Sequence, residues 1–153
     1  MAHDLIAAPA VPAMDAHAIA MVRELQAQLE TLPQVPVRMH HVLHGGMYAR
    51  TCYIPAGHLL ACCLVRVPTI VVLAGSANVY VGKDEPLRLE GYSVLPASAG
   101  RKQAFLSVTD FALTMFYATK AKTVAEAEDE LTGESEMLAS RRDKLNTVII
   151  TGE

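Results

Sequence analysis

The sequence has no tryptophan and only 5% of its 153 residues are aromatic, so large rings cannot fill much of its interior. Its uninterrupted apolar runs all stop short of the eighteen or so residues that a spanning helix needs, which sets a helical membrane span aside. Basic residues are few and scattered: thirteen Lys and Arg against sixteen Asp and Glu give a net charge of −3. Without a basic stripe there is little electrostatic footing for nucleic acid. The three cysteines, Cys52, Cys62 and Cys63, are an odd set with two adjacent. That pattern argues against a secreted disulfide framework and for reduced, buried thiols in a cytosolic setting. The opening residues lack the basic leader and apolar core of a signal peptide, so secretion by that route is not expected.

What the chain does have is apolar content, 52% of it, much of it alanine. The most informative stretch runs from Met47 to Gly75. Pro55-Ala56-Gly57 is a tight turn, because proline presets φ at the first corner and glycine accepts a positive φ at the third residue. Met47–Ile54 before it, and His58–Val65 and Ile70–Leu73 after it, are short apolar or β-branched runs that suit buried strands. Arg50 alternates with Cys52 and Ile54, which turns it toward the core; Asp110 or Glu90 is the expected partner. His58 shares strand parity with Leu60 and Cys62, so it is expected to line the mouth of a barrel. Further strands and turns follow to Thr119, about eight in all. Gly100-Arg101-Lys102 reads as a charged, solvated turn.

The flanks differ in character. Asp15 caps a helix that Pro33 stops near Leu32, and Val22, Leu25, Leu29 and Leu32 form one apolar stripe on it. Three histidines, His40, His41 and His44, crowd the linker that follows. In an extended segment His40 and His41 face opposite sides, while His40 and His44 share one. Beyond Tyr117, Thr123 to Glu126 is a capping box that opens a short acidic helix. Leu145–Thr151 is a β-prone tail with Val148, Ile149 and Ile150 in a row, and an apolar terminal strand must find an edge. The expected organisation is an Ala/Pro-rich arm at 1–14, a helix and linker at 15–46, a barrel at 47–120, and a helical segment with a β-prone tail at 121–153.

Tyr48-Ala49-Arg50, then Ile54-Pro55-Ala56-Gly57, then Leu73, Gly75 and Val79, and later Pro96 and Gly100, follow in an order that resembles the small cupin-domain proteins of tailed bacteriophages and prophages. Leu32-Pro33-Gln34-Val35 ahead of the barrel adds to the likeness, which spans residues 22 to 120. The resemblance implies a mainly β fold: a cupin-like double-stranded β-helix, or jelly-roll barrel, with an N-terminal helix and a short C-terminal helical segment. Cupins that bind metal place histidines where this chain has Val65 to Thr69 and Tyr117. These are poor ligands for a first-row metal. No metal, cofactor or catalytic residue is therefore expected. The function implied is a non-enzymatic structural or assembly protein of a phage particle, of the capsid-decoration or tail-accessory type, in the virion or the host cytoplasm. It would act as a homo-oligomer or within a larger viral assembly, with Val22, Leu25, Leu29, Leu32, Val148, Ile149 and Ile150 as interface candidates. Two alternatives stand beside it. One is a metal-dependent cupin enzyme with ligands displaced to His40, His41, His44 and His58. The other is a metal-free barrel for a small molecule or sugar, with Arg50 and His58 as polar anchors at its mouth.

Overall fold

The computed structural model describes residues 10–153; most of the Ala/Pro-rich arm, residues 1–9, lies outside the described residues. The fold is mainly β. Its strands are β1 (Arg38–His44), β2 (Met47–Ile54), β3 (Leu59–Ala61), β4 (Thr69–Ala74), β5 (Ala77–Tyr80), β6 (Leu87–Leu89), β7 (Tyr92–Ala97), β8 (Ala104–Ser107), β9 (Phe111–Ala118) and β10 (Asn146–Ile150). Helix α1 (Ala16–Leu29) precedes them, while α2 (Val124–Leu131) and the single-turn α3 (Ala139–Arg142) lie between β9 and β10. A six-stranded sheet in the order β10-β1-β2-β9-β4-β7 faces a four-stranded sheet in the order β3-β8-β5-β6. Except for β10, which runs parallel to β1, neighbouring strands are antiparallel.

Alternation along the strands decides which side chains meet between the sheets. On β4 the even-spaced Thr69, Val71 and Leu73 are buried while Ile70 and Ala74 are exposed, and Phe111, Leu113 and Tyr117 of β9 follow the same two-residue period. Ile54, Val71, Leu73, Val79, Phe105, Phe111 and Leu113 share one core, in which the rings of Phe105 and Phe111 lie 5.9 Å apart. The Pro55 turn forms as read, with Gly57 at φ 75° in open space. Gly75 is more demanding. At φ 122° it lies so close to the start of β9 that a Cβ there would meet the Asp110 carbonyl oxygen at 2.5 Å.

Helix α1 begins at Asp15, whose carboxylate accepts from the Ala18 amide. Its stripe lies across the outer face of the four-stranded sheet, where Ala18, Val22, Met14 and Ala104 form a second core. Val22 is 2% exposed, so it belongs to the chain's own interior and is not available as an interface residue. Burying it stabilises this docking by roughly 2 kcal/mol. Leu25 is half-buried in the same cluster, Leu29 is half-buried, and Leu32 is exposed. The His-rich segment read as linker is strand β1, inside the larger sheet, and β10 pairs with it from Met39 opposite Asn146 to Leu43 opposite Ile150. The β layers thus extend on both sides of residues 47–120. Histidine and methionine carry little strand signal, and β1 is held by its two neighbours more than by its own propensity.

Candidate functional site

Between the sheets Phe105 packs against Phe111, and beside Phe105 stand slim or flexible groups, among them Cys52, Cys62, Val71 and Met115. They leave a cavity of about 510 Å³, well within the range of small-molecule sites. The scarcity of aromatic residues thus has a structural counterpart. Residues 32–37 after α1, the Pro55 turn, and Met137 to Asp143 form its rim.

Two polar residues distinguish this cavity. Arg101 and Gln103 stand two positions apart just ahead of β8, so they project to the same side, into the space between the sheets. Arg101 is 1% exposed and Gln103 6%. The guanidinium donates from Nη1 to the Ser98 carbonyl at 2.7 Å, from Nη2 to Thr69 Oγ1 at 2.8 Å, and from Nε to Gln103 Oε1 at 3.3 Å. A 3.5 Å contact from Nη2 to the Met115 thioether completes its surroundings. Burial pulls the pKa of Arg101 down, but a guanidinium remains protonated in protein interiors. Among the described residues no carboxylate pairs with it. The amide nitrogen of Gln103, buried and committed to no acceptor, is the sole such buried side-chain atom among the described residues. Gly100-Arg101-Lys102 is therefore not a solvated turn. Lys102, fully buried on the other side of the strand, pairs with Glu134 at 2.9 Å, and Arg23 of α1 bonds the same carboxylate.

Arg50 also touches the cavity wall, yet its charge is engaged elsewhere. Its Nη1 donates to Glu128 Oε2 of α2 at 2.6 Å, both side chains being under 5% exposed. Its partner is thus neither Asp110 nor Glu90; the helix that follows the barrel supplies it. Ser140 bonds Glu128 as well, and Arg141 reaches the other carboxylate oxygen at 3.2 Å. Burial pushes the Glu128 pKa up, but the Ser140 hydroxyl and the two guanidiniums outweigh it and hold it below the ordinary value. Beside this pair the Tyr48 hydroxyl lies 2.6 Å from His41 Nδ1, and His41 Nε2 lies 2.8 Å from Asn146 Oδ1. Burial raises the Tyr48 pKa to about 12 and lowers that of His41. The network is a joint between β1, β2, α2 and β10.

The four histidines do not come together. His41 is buried in that joint, His44 is exposed beside Thr151 and Glu153, and His58 sits at the cavity rim with Nδ1 donating to the Ala56 carbonyl at 3.0 Å. His40 and His44 share the outer face of β1 but stand roughly 13 Å apart along it, too far to chelate one ion. Among the described residues no three His, Cys, Asp or Glu side chains converge to hold a metal. The displaced-ligand arrangement is overturned by this placement. Thr69 accepts from Arg101, and the Tyr117 hydroxyl donates to the Ala127 carbonyl, so both side chains are engaged within the fold. Val148, Ile149 and Ile150 are about half exposed on β10.

No family model matches the chain, and no curated protein matches it. Solved structures do. A cupin family protein with a double-stranded β-helix fold from Methanocaldococcus jannaschii is 8% identical with a TM-score of 0.46, over 57% of this chain and 85% of that one. The structure of KdgF from Halomonas sp. is 15% identical with a TM-score of 0.46, over 57% and 84%. Salicylate 1,2-dioxygenase from Pseudaminobacter salicylatoxidans is 16% identical with a TM-score of 0.47, over 75% of this chain and 35% of that one. At identities of 16% or less and TM-scores below 0.5, these likenesses concern the fold alone.

Proposed function

We propose that this chain is a small-molecule-binding barrel that works without a resident metal. The observation that carries the proposal is the cavity of about 510 Å³ with an uncommitted amide donor buried in its wall. A buried polar group without a partner costs free energy, roughly 1–3 kcal/mol, and a bound ligand relieves that cost. His58 at the rim and Arg101 in the wall add polar anchors to a largely apolar enclosure, the usual composition of a binding site. Among the described residues no three His, Cys, Asp or Glu side chains are arranged to hold a metal, so the reading rests on the cavity and its polar wall. The test is ligand-observed NMR with a fragment library of charged and uncharged compounds. Hits are expected to compete with one another and to disappear when Cys52→Leu and Cys62→Leu together fill the wall. Hits that survive the filling, or a complete lack of hits, would overturn the proposal.

A second reading, an assembly protein working as an oligomer, draws on exposed apolar surface. Ile70, Tyr92 and Val94 lie open on the outer face of the larger sheet, and Val148, Ile149 and Ile150 lie open on its β10 edge. Such surface is commonly covered by a neighbouring subunit.

A further inference from the structure

We infer that the ligand of this cavity is a small monocarboxylic acid with an apolar body, its carboxylate held by Arg101 and Gln103. The inference rests on the small-molecule reading and adds the chemical class. Its first ground is charge. Arg101 brings a positive charge into the interior, where an uncompensated ion is strongly unfavourable. The other buried cations already have carboxylates: Glu128 for Arg50 and Glu134 for Lys102. One negative charge therefore balances Arg101 itself.

The second ground is donor geometry. Of the five guanidinium hydrogens, those on strong acceptors point to Ser98, Thr69 and Gln103. One Nη1 hydrogen remains, together with the Nη2 hydrogen spent on the weak Met115 thioether contact. Both Gln103 amide hydrogens are uncommitted as well, and the Nε–Oε1 bond fixes the amide so that its nitrogen is presented beside the guanidinium. The result is a cluster of donors with no acceptor, which suits a carboxylate's four lone-pair sites and offers nothing to an ammonium group. Third, Cys52, Cys62, Val71, Leu113 and Met115 in the wall offer a ligand apolar contact, while Glu30, His58, Arg142 and Asp143 also line the cavity.

The experiment is calorimetric titration of the full chain with benzoate, 2-naphthoate and octanoate, each against its neutral amide at constant ionic strength. The acids are expected to bind about tenfold or more tighter than the amides, the worth of one charge-assisted hydrogen bond. Gln103→Glu supplies an internal carboxylate to Arg101; it is expected to raise the thermal midpoint and to abolish acid binding. Gln103→Met, which removes the amide donors and leaves the charge, is expected to weaken the acids by a smaller factor. Equal affinity for acids and amides, or acid binding unchanged in Gln103→Glu, would overturn the carboxylate assignment while the small-molecule reading stands. Failure of every acid and every amide to bind would remove both.

Discussion

Replacing Glu128 with Gln tests how the barrel is fastened to the segment that follows it. The pair Arg50–Glu128 is 2.6 Å long and almost wholly shielded from water. Removing one partner of such a pair strands a buried charge and costs about 3–5 kcal/mol. For a chain of this length each kcal/mol moves the thermal midpoint by about 2–4 °C, so a fall of roughly 10 °C is expected. Arg50→Met combined with the same Glu128→Gln removes both charges and is expected to restore most of the loss, since the penalty arises from the stranded charge more than from the lost attraction. Urea unfolding of the four members of the cycle measures the coupling. A Glu128→Gln cost below about 1 kcal/mol, within the range of exposed pairs, or a double variant no better than the single one, would refute the reasoning. The pH dependence has a fixed sign. Because the Glu128 pKa is lowered on folding, its contribution is full above the ordinary glutamate value and is lost as the pH falls through the depressed one. Glu128→Gln should therefore flatten the acid limb of the stability profile.

Two glycines separate conformational cost from collision. Gly57→Ala is expected to cost on the order of 1 kcal/mol, the strain of a positive φ in open space, whereas Gly75→Ala should cost several times more or prevent soluble expression, because its Cβ meets backbone at 2.5 Å. Equal losses in denaturant unfolding would contradict the placement of Gly75, and His58→Ala should be milder than Gly57→Val. For the assembly reading, light scattering at high concentration should give a mass above that of one chain, and deletion of residues 145–153 should lower it. A wild-type monomer unaffected by the deletion would count against that reading.

The β architecture was legible because its signals are local: two-residue alternation in Phe111–Tyr117, a proline-glycine turn, and capping residues at Asp15 and Thr123. The inward direction of Arg50 followed from the same alternation. Its partner did not, since Glu128 belongs to a helix whose position depends on tertiary packing. The burial of Arg101 and Lys102 is hidden in the sequence for a related reason. Three polar residues in a row after a glycine describe a solvated loop equally well, and the acceptors that make their burial tolerable, Ser98, Thr69 and Glu134, are scattered along the chain. Residues 38–44 read as a linker because histidine has no strong preference for a strand.

The parallel pairing of β10 with β1 has a bearing on how the molecule assembles itself. His41 and Asn146 stand 105 positions apart, and contacts that close loops of this size form late, after the hairpins and meanders have paid the entropy of bringing the chain together. β1 can pair with β2 as soon as the two-residue turn between them forms, so the edge of the larger sheet exists before its final strand arrives. β10 then behaves as a latch. Substitutions in it should leave the folding rate nearly unchanged and act on the lifetime of the native state, which is set by how readily the latch reopens.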